Sequence, residues 1–149
     1  MPIDPEALLD FRDDPAGGGW SVAEARDADR FVAIFGVIRM RREGDGLARV
    51  RFETGPRVRN ISDGVHGGYT LAVVDQALFL GLRAMGISDG MGGATIDASC
   101  QFFAALSSDK PVDAVVELLR ETRRLIFLRG VIEQDGVRGA AFSGTVRKA

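Results

Sequence analysis

An apolar segment with helical periodicity constrains this chain more than any other feature of its sequence. Its apolar positions recur at spacings of three and four residues, at Leu71, Val74, Leu78 and Leu82, which predicts a helix with one buried face. A single carboxylate, Asp75, interrupts the run. Because burial of an unpaired ionised carboxylate is very costly, we expect Asp75 to be paired, to lie on the helix surface facing another group, or to be functional. The pattern leaves the structural and the functional interpretation open.

Two glycines follow the only histidine of the chain, where the predicted helix begins. The segment is His66-Gly67-Gly68. Because glycine has no side chain, the backbone here can approach another group closely. The first N–H groups of a helix have no partners within the helix, and this end of the helix dipole is positive. The segment is therefore a candidate cradle for a carbonyl oxygen or an anion. The alternative is that Gly64, Gly67 and Gly68 only form a turn into the helix.

These residues form a larger pattern with an asparagine upstream. Asn60, then His66-Gly67-Gly68, then Asp75 nine residues after the histidine resemble the acyl-CoA thioesterases of the hotdog fold, most closely the phenylacetyl-CoA thioesterase-like (PaaI-type) group. The resemblance runs from residue 37 to the C-terminus. It implies an α+β hotdog fold, in which a curved antiparallel sheet wraps one long central helix. One position differs, because the family usually has a glycine three residues after the asparagine, whereas Gly64 follows Asn60 by four.

The resemblance also implies roles for single residues. In the family the Asn, His, Gly and Asp are site residues, and a Ser or Thr on the strand after the helix assists; Thr95 falls at that place. A thioester hydrolase must polarise the carbonyl, activate or replace the attacking water, and position it. The backbone N–H of Gly67 can polarise, Asp75 can act as general base or as nucleophile, and Thr95 can hold the water. Asn60 and His66 can bind the carbonyl or hold the loop.

The spacing of these residues along the helix predicts a homodimer. His66 precedes Asp75 by nine residues, which is about 13 Å along a helix axis. Groups that act on one carbonyl must lie within about 3–3.5 Å of the reacting atoms. One helix therefore cannot bring both ends to the same carbon, but two antiparallel copies related by a two-fold axis can. The resemblance likewise implies sites at dimer interfaces, and tetramers are common among similar proteins.

The rest of the substrate is predicted from charge. Coenzyme A carries phosphates, and Arg120, Arg123 and Arg124 near a predicted strand turn are candidates to bind them. For each of these arginines, a role as a solvated turn residue is an equally good interpretation. Gly68 is a further candidate substrate-binding residue. The expected substrate is an acyl-CoA or an acyl-carrier thioester. No cofactor is expected, and one histidine with one cysteine cannot supply a nitrogen–sulfur metal cluster.

Two other functions stay open. One is a different enzyme on the same fold, a hydratase or dehydratase of enoyl thioesters, and the other is a non-catalytic acyl-CoA-binding module. The hydratases carry an Asp-to-His motif on the helix, and no histidine follows Asp75 in this chain. A non-catalytic copy has no need of Asp75, so hydrolysis is the favoured prediction.

Composition is typical of one globular domain. A chain of 149 residues is long enough to bury a core, and 46% hydrophobic with 27% charged residues is ordinary. We predict a single hotdog domain over residues 1–149, with residues 1–35 as an N-terminal helical extension. A net charge of −2 gives no reason to expect nucleic acid or an anionic membrane as partner. The single cysteine, the lack of an apolar run of about 18 residues and the lack of a signal-peptide pattern predict a cytoplasmic protein.

The remaining elements follow from local patterns. Asp4 and Pro5 predict the start of a helix over residues 5–13, and a looser pattern predicts a second helix over residues 23–34. Strands are predicted over residues 36–42, 47–53, 95–103, 112–122, 125–133 and 137–147. The basic group Arg39, Arg41 and Arg42 is interpreted as a solvated strand face in preference to a phosphate site.

Overall fold

Eight antiparallel strands form one sheet, whose order is β1-β2-β3-β4-β6-β7-β8-β5. The structure, a computed structural model, describes residues 4–149; residues 1–3, on which the signal-peptide prediction partly rests, lie outside the described residues. The strands are β1 (Leu9–Asp13), β2 (Ser21–Ala25), β3 (Ile38–Gly44), β4 (Leu47–Phe52), β5 (Ala94–Phe102), β6 (Val112–Glu121), β7 (Leu125–Gln134) and β8 (Val137–Arg147). The six predicted strands are confirmed to within two residues at each end.

One long helix, α2 (Gly67–Ala84), packs on one face of this sheet. Its periodic apolar positions include Val74, Leu78 and Leu82, which are buried in the core. On the sheet, alternation within β4 buries Val50 and Phe52 against the helix side, as expected for a half-buried strand. The predicted α+β class is confirmed. Within residues 4–149, no helix is both long and apolar enough to cross a membrane.

The N-terminal extension is largely β structure, and the prediction of two helices there is wrong. Helix α1 (Pro5–Leu8) has the predicted cap, since Asp4 Oδ1 accepts the N–H of Glu6 at 3.0 Å, but it ends after four residues. The chain then enters β1, which pairs with β2, and β2 pairs with β3. Of the second predicted helix, only residues 31–34 are helical, within a 3-10 turn at Phe31–Phe35. Pairing of β2 with the free edge of β3, and of β1 with β2, provides hydrogen-bond partners for the backbone N–H and C=O groups of this segment. This pairing overrides a weak helical pattern.

The loop between β1 and β2 fastens this extension to the outer face of the sheet. Arg39 on β3 donates to the Asp14 carboxylate at 2.9 Å. The Trp20 ring lies near two guanidinium groups, 4.5 Å from the Cζ of Arg41 and 4.8 Å from that of Arg51. These ion-pair and cation–π contacts favour a structural interpretation of the basic strand β3 over a phosphate site. The predicted solvated face is in part covered by this loop, since Arg39 and Arg41 are half-buried.

Strand β5 forms one edge of the sheet and keeps most of its surface exposed. Its burial alternation is weak, and Ile96 and Phe102 are about half exposed, at 56% and 52%. Leu71 on α2, which the helical pattern assigned to the buried face, is 48% exposed, so that assignment is wrong for this residue. An edge strand with unpaired backbone groups and apolar side chains is a surface that proteins normally cover.

Candidate active site

Asn60 holds the loop that leads into α2. Its side-chain Oδ1 accepts the N–H groups of Ser62 at 2.8 Å and of Gly64 at 3.0 Å. Asp63 takes the left-handed conformation, with φ of 61°, at the position where the resembled family has glycine. Asp tolerates this conformation better than most residues, so the loop closes with Gly64 one residue later. Within the described residues no bond engages Asn60 Nδ2, which leaves its N–H groups free to donate.

His66 caps the helix. It lies just before α2, and its Nδ1 accepts the N–H of Gly68 at 2.8 Å. With Nδ1 acting as acceptor, the neutral imidazole carries its proton on Nε2, which can donate outward. A Cβ on residue 68 would lie 3.0 Å from Nδ1, so glycine at this position makes room for the ring. Through this bond to an amide N–H, His66 holds the start of the helix.

Gly67 offers the free donor at the helix start. Within residues 4–149 its N–H has no hydrogen-bond partner, as expected for the first turn of a helix. The N–H of Gly68 is occupied by His66, so Gly67 rather than Gly68 presents a backbone N–H to a ligand. One residue further on, the Tyr69 hydroxyl donates to the Glu53 carbonyl at 2.7 Å and ties this turn to the end of β4. Burial, with the nearby charge of Glu53, raises the pKa of Tyr69 to about 12, so the hydroxyl keeps its proton.

Asp75 lies exposed on the surface of α2 and accepts a hydrogen bond from the strand beside it. The hydroxyl of Thr95, near the start of β5, donates to Asp75 Oδ1 at 2.6 Å. Of the three possibilities for Asp75, the structure thus combines two, because the carboxylate has a hydroxyl partner and also faces outward. The bond fixes the orientation of the carboxylate and leaves Oδ2 free within the described residues. Thr95 retains its lone pairs to accept a water hydrogen.

The two halves of the site lie apart within one chain. Gly67 and Asp75 are eight residues apart in the same helix, about 12 Å along its axis. Strand β5 runs along the helix, with Thr95 at Asp75 and Phe102 beside Gly67, where a Cβ would lie 3.7 Å from the Phe102 ring. The structure brings together Asn60, His66 and Gly67 at one end, and Asp75 with Thr95 at the other.

A pocket of about 390 Å³ adjoins the Gly67 end. Asn60, Gly67, Phe102 and Leu106 are among its lining residues. Neither Phe102 nor Leu106 was predicted from the sequence as a site residue. The pair Phe102-Phe103 at the end of a predicted strand was the available signal, since two adjacent aromatic residues cannot both point into the core.

More than half of the chain matches a known protein family. The sequence profile of the acyl-CoA thioesterase N-terminal domain matches residues 55–148. The chain belongs to this family. No curated protein matches the sequence.

Solved structures agree on the fold of this thioesterase-family chain. A mutant of the phenylacetic acid degradation protein PaaI from Thermus thermophilus is 23% identical, with a TM-score of 0.67 over 81% of this chain and 100% of that one. A hypothetical thioesterase with coenzyme A from Streptococcus pneumoniae is 20% identical, with a TM-score of 0.64 over 75% and 85%. The protein smu.793 from Streptococcus mutans, bound to acetyl CoA, is 19% identical, with a TM-score of 0.62 over 74% and 86%. The predicted hotdog fold is confirmed.

The three candidate phosphate-binding arginines of this thioesterase-family chain lie around one turn. All three are exposed, Arg120 near the end of β6 and Arg123 and Arg124 between β6 and β7. In the part of the chain that the structure describes, none has a carboxylate partner. Val146 on β8 pairs with both Thr95 and Ile126. The turn therefore lies at the end of the sheet that carries Thr95, about 10 Å or two strand spacings away.

The single cysteine is not set up as a nucleophile. Cys100 lies in β5 and packs partly against the core. Partial burial raises the pKa of its thiol, which disfavours the reactive thiolate. Cys100 is therefore interpreted as a partly buried packing residue.

Proposed function

We propose that the protein hydrolyses acyl-CoA or acyl-carrier thioesters to the free acid and the thiol. One observation carries the proposal. A single helix of this acyl-CoA thioesterase-family chain bears both the Gly67 N–H, which has no partner among residues 4–149, and the Asp75 carboxylate, which the Thr95 hydroxyl orients. The first is a donor for the oxyanion that develops on the thioester carbonyl. The second is a base or nucleophile with a fixed orientation.

Asp75 can promote hydrolysis of the thioester by either of two routes. As general base, Asp75 takes a proton from water while the water oxygen attacks the carbonyl carbon; the C–S bond then breaks, and the departing thiolate receives that proton. As nucleophile, the Asp75 carboxylate displaces the thiolate directly and forms an anhydride that water hydrolyses. In both routes the Gly67 N–H binds the carbonyl oxygen, and the Nδ2 of Asn60 and the Nε2 of His66 are further donors at the same end.

The proposed active unit is a homodimer in which each site takes Gly67 from one chain and Asp75 from the other. The separation of about 12 Å along α2 supports it, because neither chain alone brings the donor to the carboxylate. The exposed edge of β5, with Ile96 and Phe102, and the exposed Leu71 between the two site halves supply an apolar surface for a second copy. A two-fold arrangement of antiparallel helices then gives two equal sites per dimer, and dimers can pair further into tetramers.

Mixing two inactive variants tests the shared site. Asp75→Asn and Gly67→Pro chains, refolded together in equal amounts, should recover about a quarter of wild-type activity, since half the dimers are mixed and each mixed dimer has one intact site. Each variant refolded alone serves as the control. A mixture no more active than its parents would contradict sharing, as would a fully active monomer in sedimentation at micromolar concentration.

Coenzyme A is the proposed thiol carrier. The support comes from the relatives with bound coenzyme A and acetyl CoA and from Arg120, Arg123 and Arg124, which are exposed cations suited to phosphate oxygens. The assay that tests the function follows thiol release from a small panel of acyl-CoAs by free-thiol detection. Release of thiol with equimolar acid supports hydrolysis, whereas hydration of an enoyl-CoA without thiol release, or binding without turnover, favours one of the two alternatives.

Thr95→Ala is expected to lower kcat by about 10- to 100-fold, because the hydroxyl orients Asp75 and positions water without performing the proton transfer. Thr95→Ser, which keeps the hydroxyl, should recover most of the loss. Steady-state kinetics on the purified dimers measures both. Unchanged kinetics in Thr95→Ala would remove Thr95 from the site.

A further inference from the structure

A second pocket, smaller and largely apolar, reaches Gln76, the residue that follows Asp75. It has a volume of about 280 Å³. Its walls come from the N-terminal extension at Leu8, Leu9 and Val32, and from the outer side of α2 at Phe79. Arg30, a cation on its wall, is paired with Asp27 at 3.4 Å. The pocket is distinct from the one that adjoins Gly67.

This pocket begins next to the proposed reacting groups. Gln76, which follows Asp75 in the helix, lines the pocket. Phe79, which also lines it, lies four residues after Asp75 on the same helix face, about 6 Å along the axis. On the other side, Gly93 lines the pocket two residues before Thr95. A thioester carbonyl placed at the Asp75–Thr95 pair therefore has this pocket within reach of its acyl chain.

The N-terminal wall is fastened to the body of the domain. Leu9 is buried in the core at 7% exposure, and the Leu8 carbonyl accepts the N–H of Arg26 at 3.0 Å. Arg83, near the end of α2, forms an ion pair with Glu6 at 2.8 Å and lies 3.5 Å from the centroid of the Phe11 ring. A wall held at several points can select among ligands by shape.

We propose that this pocket holds the apolar end of the acyl group, so that the N-terminal extension sets the acyl specificity. The proposal rests on the proposed thioesterase function. The wall residues Leu8, Leu9 and Val32 precede residues 55–148, the segment that the family profile covers. The proposed specificity element therefore lies outside the segment that the family profile covers.

The size and lining of the pocket define the substrate class as an uncharged, medium-length acyl group. Its volume of about 280 Å³ lies just below the range of roughly 300–1,000 Å³ typical of small-molecule pockets. A pocket of this size is too small for a long fatty acyl chain. An acetyl group has one methyl and does not reach Phe79. Each methylene buried there should raise kcat/KM about fourfold, so hexanoyl-CoA and octanoyl-CoA should exceed acetyl-CoA, and palmitoyl-CoA should bring no further gain.

Leu8→Glu tests the wall, with Ala7→Glu as its matched control. Both changes add one carboxylate to the same short helix, but Leu8 lines the pocket whereas Ala7 is exposed and does not. Leu8→Glu should lower the hexanoyl-to-acetyl ratio of kcat/KM at least tenfold, and Ala7→Glu should leave that ratio unchanged. A second variant, Phe79→Ala, enlarges the pocket and should move the preferred chain length upward. Equal ratios in wild type, Leu8→Glu and Phe79→Ala would overturn the proposal.

Binding of uncleavable thioethers separates this proposal from the function on which it rests. Calorimetry with S-hexyl-CoA and S-ethyl-CoA measures the preference for the longer chain without turnover. If the wild type and Ala7→Glu prefer S-hexyl-CoA and Leu8→Glu does not, the pocket binds the alkyl chain. If, in addition, no acyl-CoA is hydrolysed, the pocket assignment stands and only the thioesterase function fails. If acyl-CoAs are hydrolysed but neither variant changes ratio or binding, only the pocket assignment fails.

Discussion

Asp75→Asn is expected to lower kcat by about 10²-fold or more, which is the lower range for loss of a general base, while the fold and the dimer persist. Asn keeps the shape of the side chain and an oxygen that can accept the Thr95 hydroxyl, but it has neither basicity nor nucleophilicity. Because Asp75 is exposed on α2, the change removes no buried contact. The loss should therefore appear in kcat and not in the melting temperature.

Measuring turnover and thermal stability on one preparation decides between the functional and the structural Asp75. A structural Asp75 would give a lower melting temperature and nearly unchanged kcat in the folded fraction. Asp45→Asn, which removes an exposed carboxylate in the turn between β3 and β4, controls for loss of one surface charge. A stable, dimeric Asp75→Asn protein with wild-type turnover would remove the main support for thioester hydrolysis at this site.

The elements that the sequence predicts well are those whose periodicity agrees with their tertiary environment. Helix α2 carries its buried face at regular spacing, and β4 alternates strictly between buried and half-buried residues, so one local pattern specifies each. The N-terminal extension is different, because the β1 and β2 strands are short and depend on the edge of β3 for their pairing. A pairing partner that lies elsewhere in the chain leaves little trace in local pattern.

The candidate site was predictable as a set of residues but not as a set of contacts. The pattern pointed to His66, Gly67 and Gly68 together, whereas the structure divides them, with Gly68 bonded to the imidazole and Gly67 free within the described residues. The bond between Thr95 and Asp75 joins residues twenty positions apart, and only the placement of β5 along α2 creates it. The pocket at Leu8 and Phe79 is formed by residues of the N-terminal extension and of α2. A local sequence motif cannot predict a pocket whose walls are far apart in the chain.

Gly67→Pro is expected to lower kcat by about 10²–10³-fold, the usual cost of removing one oxyanion-hole donor, and to leave the helix in place. Proline removes the N–H and little else at this position. Gly67 is the first residue of α2, where proline is well tolerated. The preceding residue, His66, already has the extended conformation, with φ of −63° and ψ of 134°, that a following proline favours.

Gly67→Ala is the matched control, because it adds a Cβ but keeps the N–H. That Cβ would lie 3.7 Å from the Phe102 ring, which is an ordinary contact. Because Gly67→Ala retains the N–H donor, its kcat should stay within about tenfold of wild type. Circular dichroism and sedimentation confirm that both variants keep the helix and the dimer. If Gly67→Pro and Gly67→Ala lose activity equally, crowding against Phe102 explains the loss and not the missing donor. If Gly67→Pro turns over like wild type, the carbonyl must be polarised by other donors, of which the Nε2 of His66 and the Nδ2 of Asn60 are the ones this end of the helix provides.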